Sequence, residues 1–406
     1  MTVRLRTFSP SRRTLLGGLA GWAVAGLALG GCTPAAGPST PTAAPTSGSA
    51  VDTPAPTATS CREAVAALSP AEQAGQLVMV GHYLDDDPAA TGQLVADHHL
   101  GAVILMGNTD VGVAGVRRVT DGIRAAAGDG GDQLLVAVDQ EGGQVRRLRG
   151  EGFSAMPSAA EQAAAGADAL RGDAQTWGKE LAAAGVDVDL APVADVVPAD
   201  QEATNEPIAR WGRGFGSDPT AVAADVTAFI GGMRAGGTAT AVKHFPGLGR
   251  VTGNTDFATG VTDDRTTRKD PLLAPFRAGI AAGTDMVMIS SAHYSRIDPD
   301  RPAIWSDTII DGMLRGDLGW TGVVVSDDLG VAAQVRSVEP ADRAIRFVQA
   351  GGDIAVTVDP SLASAMVDGL AAKADADPAF ADRLTASAAR VLGLKATRGT
   401  GICAAG

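Results

Sequence analysis

The stretch Ala241-Val-Lys-His-Phe-Pro-Gly-Leu-Gly-Arg250 follows directly on a short apolar lead, Ala239–Val242, with which it overlaps. A cation, an imidazole and an aromatic come next, and Pro246, Gly247 and Gly249 then stop any regular structure. This reads as a strand whose carboxyl end turns polar and opens into a loop. Lys243 is costly to bury there unless it meets an anion or several acceptors. The stretch therefore marks the centre of a site, with the rest of the chain as its scaffold.

Working outward, the same pattern recurs. Short apolar runs lie at Gln76–Val80, Gly101–Met106, Leu134–Val138, Val186–Val193, Ala239–Val242, Met286–Ile289, Gly322–Val325 and Asp353–Val358. Ala-rich amphipathic segments separate them, among them Asp168–Ala184, Pro219–Ala235 and Pro271–Ala282, and Ala379–Ala396 closes the series. Ser69-Pro-Ala-Glu72 is a capping box with proline at the first helical position, so a helix starts there. Repeated strand–helix alternation implies a parallel sheet with helices outside. Eight repeats favour a closed (β/α)8 TIM-type barrel, a single catalytic domain over 61–406, above an open doubly wound sheet. The missing Gly-x-Gly-x-x-Gly after the first run weakens a dinucleotide-binding fold.

The chain has 406 residues and a formal net charge of -13. Residues 1–31 carry four arginines and no acid or lysine, which leaves 29 basic against 46 acidic residues beyond them. A body this acidic argues against nucleic acid or anionic lipid as a partner of the folded part. The paired arginines of Ser11-Arg-Arg-Thr14, the apolar run Leu15–Leu29 and the ending Leu29-Gly-Gly-Cys32 read as an export signal over 1–31. The ending resembles a bacterial lipobox, with Cys32 as the lipidated first mature residue. The alternative is a spanning anchor with an incidental cysteine, although the run is short for one. Export by the twin-arginine route and by general secretion are both open. Residues 32–60, rich in Pro, Ala, Thr and Ser, form a linker that tethers the domain to a membrane. The expected location is extracytoplasmic and lipid-anchored. In an oxidising compartment the remaining cysteines, Cys61 and Cys403, form a disulfide joining the two ends of the domain, or stay as unpaired thiols.

In a barrel of this kind the site lies at the carboxyl ends of the strands. The third run is followed by Asp139-Gln-Glu-Gly-Gly-Gln-Val-Arg146. After the fourth come Asp195, Asn205-Glu-Pro207 and Arg213-Gly-Phe-Gly216. After the fifth come Lys243 and His244, after the sixth Ser290-Ser-Ala-His293, and after the seventh Ser326-Asp-Asp-Leu329. Each group alone has a structural reading. Asp139 suits an Asx-turn, His244 a hydrogen-bonded core histidine, Arg213 a surface pair with Asp218, and Asp328 a cap on the next helix. His82, His98 and His99 read as structural or solvated. Together, five strand ends turning polar exceed what folding requires. Carboxylates and cations so gathered suit a neutral polyhydroxylated ligand. No metal-ligand spacing, phosphate loop or Gly-x-Ser-x-Gly elbow is present, so no cofactor or metal is expected.

Lys243-His-Phe-Pro-Gly247, Asp139-Gln-Glu-Gly-Gly143, Arg213-x-Phe-Gly216 and Ser326-Asp-Asp-Leu329 resemble the family 3 glycoside hydrolases of the bacterial β-N-acetylhexosaminidase type, from Cys61 almost to the end. The resemblance implies a retaining exo-glycosidase acting on terminal β-linked N-acetylglucosamine of cell-wall (peptidoglycan-derived) or other envelope glycans; a monomer is expected, although the sequence does not fix the oligomeric state. It places the nucleophile at Asp327 and sugar contacts at Asp139, Arg213, Lys243 and His244. His293, at the end of the sixth run, joins them as a candidate sugar contact.

One departure matters. Where the family carries an Asp-Ser-His acid/base element, this chain has Asn254-Thr-Asp256. Three readings stay open. Asp256 is the acid/base, its pKa raised by apolar surroundings near Phe257 and by the nucleophile's charge, with Asn254 orienting it. Another loop supplies the acid. Or the protein is a catalytically weak sugar-binding envelope lipoprotein. A β-glucosidase-type specificity within the same family and a two-lobed solute-binding lipoprotein are the rival functions; Phe245-Pro-Gly247 argues against the first and the eight repeats against the second.

Overall fold

The computed structural model describes residues 58–401 together with Cys403. The expected signal 1–31, Cys32 and all but the last three residues of the linker lie outside the described residues. A helix, Ala58–Ala66, begins three residues before the expected domain boundary and carries Cys61 within it.

Eight parallel strands close into a barrel in chain order. They are β1 (Val78–Tyr83), β2 (Ala102–Met106), β3 (Leu135–Val138), β4 (Val188–Asp189), β5 (Ala239–Phe245), β6 (Met286–Ile289), β7 (Val323–Asp328) and β8 (Ile354–Thr357). Every expected run is one of them. Alternate residues split between two cores: Met79, Ile104, Ala137 and Met288 fill the barrel, while Val80, Val103, Val136 and Val287 pack under the helices. Burial on both faces is why these strands read as unbroken apolar runs. Val391 and Leu394 of the last helix, Pro378–Thr397, join the barrel interior.

Four strands differ in their bounds from expectation, β1 among them, which runs to Tyr83, three residues past the expected Val80. β4 keeps only two ladder residues of Val186–Val193; Pro192 has no N–H to donate, and the backbone beyond it rejoins β5 at an isolated Val193–Lys243 bridge. β5 and β7 run three residues further than their apolar cores, through Phe245 and Asp328. Lys243, His244 and Asp327 thus stand on strands, which hold a side chain more firmly than a loop does.

A helix follows each strand; Ala167–Ala183 follows β3 and Pro219–Gly236 follows β4. Those two pack so closely that a Cβ on Gly236 would lie 2.6 Å from the Gln175 carbonyl oxygen. The Ala/Gly-rich composition serves this packing. The capping box forms as read, with Glu72 accepting from Ser69 N at 2.7 Å. Cys61 and Cys403 are disulfide-bonded, their Cα atoms 4.8 Å apart across a separation of 342 residues. Closing a loop that long removes entropy from the unfolded chain, on the order of a few kcal/mol.

Candidate active site

A cavity of ≈ 400 Å³ opens at the carboxyl ends of the strands. Asp139, Arg213, Lys243, His244, Asp256 and Asp327 all line it. His293 does not. It pairs in a small outlying sheet, its N–H donating to the Val261 carbonyl, and burial pushes its imidazole below the ordinary value, with Asp298 opposing. The expectation that His293 touches sugar is corrected on this ground: the chain turns away after β6, so a polar residue four positions past the strand no longer faces the barrel axis.

The floor of the cavity is a charge network. Lys243 is 2 % exposed, and its Nζ meets Asp139 Oδ1 at 2.6 Å and Glu141 Oε1 at 2.7 Å. Arg213 donates to both oxygens of Glu141, Nε at 2.8 Å and Nη2 at 2.7 Å, in the forked geometry that gives guanidinium–carboxylate pairs their strength. Arg213 therefore does not pair with Asp218, which caps the helix Pro219–Gly236 instead. Burial alone would raise the Glu141 carboxyl, but the Arg213 and Lys243 charges outweigh it and hold it well below the usual range. Burial likewise works against Lys243, and Asp139 and Glu141 reverse it, raising its pKa. Glu141 is the residue the strand-end reading passed over. It sits in a two-stranded arm, Gln140–Gly142 against Val145–Arg146, beyond the barrel strand itself. Arg147, after that arm, lines the cavity as well. The need of buried Lys243 for an anion was the signal that could have led to Glu141.

His244 is fixed from both sides. Its Nδ1 lies 2.7 Å from Asp195 Oδ2 and its Nε2 lies 3.3 Å from Arg213 Nη2. A guanidinium only donates, so Nε2 accepts and Nδ1 carries the proton toward Asp195. Asp195, fully buried, also accepts from His244 N at 3.2 Å and Leu248 N at 2.8 Å. It thus shapes the loop as well as the imidazole. Asn205 stitches the same loop, donating to Leu248 O at 2.8 Å and Val251 O at 3.0 Å. Gly247 adopts φ 128°, a region L side chains rarely enter, and the Gly249 backbone packs against the Val196 carbonyl with no room for a Cβ. The register of β5 against β6 shifts between Val242 and Phe245, a local irregularity of the kind that re-aims side chains beside sites.

The two acids after β7 divide their work. Asp328 accepts from four backbone N–H groups: Gly330 at 2.9 Å and Val358 at 3.0 Å on one oxygen, Val331 at 2.7 Å and Ala332 at 2.9 Å on the other. Its oxygens are occupied in structure. Asp327, half-buried, accepts among the described residues only from Asp328 N, at 2.9 Å, which leaves its second oxygen to act in the cavity.

Asp256 rides on an exposed turn and lines the cavity. Desolvation by the groups around it, then the negative Asp327, push its carboxyl up to about 6, with the Arg213 charge opposing. Asn254 does not touch the Asp256 carboxylate; its Oδ1 accepts from Asp256 N at 2.9 Å and shapes the turn. The apolar shelter expected from Phe257 is absent too, since that ring is 79 % exposed. A second tie comes from the segment beyond the acidic pair. Ala333 N donates to Asp256 O and Gln334 N to Thr255 O, each at 3.1 Å, so the Asp256 turn is fastened to the loop that follows the strand carrying Asp327.

Such an arrangement can grip hydroxyls on its floor and offers two carboxyl groups of different proton affinity above it. Comparisons with known proteins agree. The family model "Glycosyl hydrolase family 3 N terminal domain" matches residues 71–394. A beta-hexosaminidase of Stenotrophomonas maltophilia (strain R551-3) is 38% identical over 259 residues, covering 61% of this chain and 73% of the relative. The crystal structure of a β-N-acetylhexosaminidase from Beutenbergia cavernae superposes with TM-score 0.79 at 48% identity, covering 81% of this chain and 98% of that one. A family 3 β-N-acetylglucosaminidase from Paenibacillus sp. superposes with TM-score 0.73 at 31% identity, over 82% of this chain and 63% of that one. The chain, a closed (β/α)8 barrel with its polar cavity at the carboxyl ends of the strands, belongs to glycosyl hydrolase family 3 and is a glycoside hydrolase.

Proposed function

We propose that the protein is a retaining exo-β-N-acetylglucosaminidase in which Asp327 attacks the anomeric carbon and Asp256 is the acid/base. The observation that carries this reading is the pair itself. One carboxylate has a free oxygen, and a second carboxyl in the same cavity is raised to about 6. Glycosidases need two such groups with separated proton affinities, one to attack and one to protonate the leaving oxygen. Asp256 protonates that oxygen, the glycosyl ester forms on Asp327, and Asp256 then takes a proton from the incoming water. The Asp139, Lys243, Arg213 and His244 floor holds the terminal sugar's hydroxyls. The similarity to a β-N-acetylhexosaminidase and to a β-N-acetylglucosaminidase supports the choice of N-acetylglucosamine.

The raised Asp256 carboxyl fixes the sign of the pH dependence. Glycosylation needs Asp256 protonated, so kcat/KM on a disaccharide with a poor leaving group is expected to fall as pH rises through about 6. The fall should approach tenfold per pH unit above that point. Asp256→Ala should lower kcat/KM for that substrate by roughly 10²–10⁴-fold and abolish the limb, while activated aryl leaving groups suffer least and azide restores part of the rate. A limb that persists unchanged in Asp256→Ala would assign the proton to another group.

The proposal extends to location. The signal 1–31, lipidation at Cys32 and the tether up to residue 60 put the barrel on the outer side of a cell membrane, where envelope glycans are its substrate. The Cys61–Cys403 disulfide suits an oxidising compartment. Metabolic labelling with a fatty acid should mark the chain and fail on Cys32→Ser; equal labelling of both would remove the anchor.

A further inference from the structure

Among the described residues the large apolar side chains left exposed are Tyr83, Val111, Trp211, Phe257 and Val331. All five lie at or beyond the carboxyl ends of strands: Tyr83 closes β1, Val111 follows β2, Trp211 follows β4, Phe257 follows β5 and Val331 follows β7. Neither the outer helix faces nor the opposite end of the barrel shows one. The chain holds only five Trp, two Tyr and nine Phe. Exposing aromatic rings on one rim forgoes their burial and marks a place where something covers them.

Two of these rings belong to the catalytic cavity. Trp211 and Phe257 line it together with Asp327 and Asp256. Trp211 is 40 % exposed and stands two residues before Arg213; Phe257 is 79 % exposed and stands next to Asp256. Phe257 is displayed on a fixed turn, its N–H bonded to Asn254 O at 3.1 Å and the following Ala258 N to the same oxygen at 2.8 Å. The position follows from the chemistry. The terminal sugar occupies the charged floor, and the acid must face the glycosidic oxygen, so the leaving group lies on the Asp256 side. That is where Phe257 projects.

We propose that Trp211 and Phe257 form a binding site for the leaving group, and that its occupant is a second pyranose ring. The C–H face of a sugar carries slight positive charge and packs on the negative face of an aromatic ring. This rests on the reading of Asp256 as the acid and of the floor as the N-acetylglucosamine site. A lipid surface is the competing occupant. It fits less well, because the two rings line a concave cavity continuous with the reacting groups, on a chain of net charge -13.

The test uses the full chain carrying Asp327→Ala, so that ligands persist. Affinities for N-acetylglucosamine and for its β-1,4-linked disaccharide are measured by titration calorimetry. The disaccharide should bind about tenfold tighter or better. Adding Phe257→Ala or Trp211→Ala should erase that advantage and leave the monosaccharide affinity unchanged, and Trp211→Phe should keep most of it. Equal affinities for the two sugars, or a parallel loss of both in the alanine variants, would overturn the platform while leaving the hydrolase reading intact. Failure of the monosaccharide itself to bind would remove the sugar-floor reading, and the platform with it. Unchanged sugar affinities with lost sedimentation on phosphatidylglycerol vesicles would overturn it in favour of a membrane contact.

Discussion

Asp327→Ala is expected to lower turnover of an aryl β-N-acetylglucosaminide by roughly 10⁵-fold, the scale seen when a covalent nucleophile is removed. The prediction rests on how little else Asp327 does. Its carboxylate accepts one hydrogen bond, from the neighbouring Asp328 N–H. The strand beneath it is held by backbone pairing of Val325 with Ile354 and of Ser326 with Ile289. Folding stability should therefore change by no more than about 1 kcal/mol. Asp328 cannot take over, because both its oxygens are engaged by backbone donors. Stereochemistry separates the two acids further. In Asp327→Ala, azide fills the vacated nucleophile position and gives the α-glycosyl azide. In Asp256→Ala, azide attacks the glycosyl ester on Asp327 from the opposite face and gives the β-azide. Near-normal turnover by Asp327→Ala, or a β-azide from it, would show that another group attacks.

The second large effect concerns Glu141, which the strand-end pattern overlooked. Glu141→Ala leaves buried Lys243 and partly buried Arg213 without their shared counter-ion. Lys243 keeps only Asp139, and Arg213 keeps the Pro207 carbonyl at 2.9 Å and His244. Breaking a buried pair from one side costs about 3–5 kcal/mol, so a clear drop in the thermal midpoint is expected. Sugar affinity should fall with it as Lys243 and Arg213 lose their positions. Glu141→Gln keeps the shape and some hydrogen bonds and should fall between. The pH sign is fixed by the lowered pKa of Glu141. A carboxyl depressed on folding stabilises above its unfolded value, 4.5, and that contribution fades as pH falls below it. The stability gap between wild type and Glu141→Gln should thus be full at pH 6 and narrow toward strongly acid solution. A gap independent of pH would mean that packing, not charge, is what Glu141 supplies.

Legibility in the sequence followed physical range. Strands buried on both faces announce themselves as apolar runs, so all eight barrel strands could be read, and their order followed from the alternation. Their ends could not, since whether Lys243 and Asp327 continue a ladder depends on the neighbouring strand. The site was visible in outline because a barrel sends polar strand ends to one face. Partnerships were not. Arg213 looked paired to Asp218 because the two are near in sequence, but its partner Glu141 is 72 positions away. His244 and Asp195 meet across 49 positions. His293 failed for the opposite reason, since closeness to β6 said nothing of the turn the chain takes after it. Asn254 was expected to hold the Asp256 carboxylate and holds its backbone instead; short polar side chains in turns favour local N–H groups.

The fastening of the Asp256 turn has a consequence of its own. Its two bonds run from backbone N–H to backbone carbonyl, from Ala333 to Asp256 and from Gln334 to Thr255. Neither reads a side chain. Position 256 is therefore a socket: its backbone is placed by these two bonds and by the Asn254 side chain, none of which involves the side chain at 256 itself. An imidazole could give way to a carboxyl there, or the reverse, without redrawing the loop. A lineage could thus exchange one proton carrier for another in a single substitution, with only the working pH and the tolerated acceptors left to change.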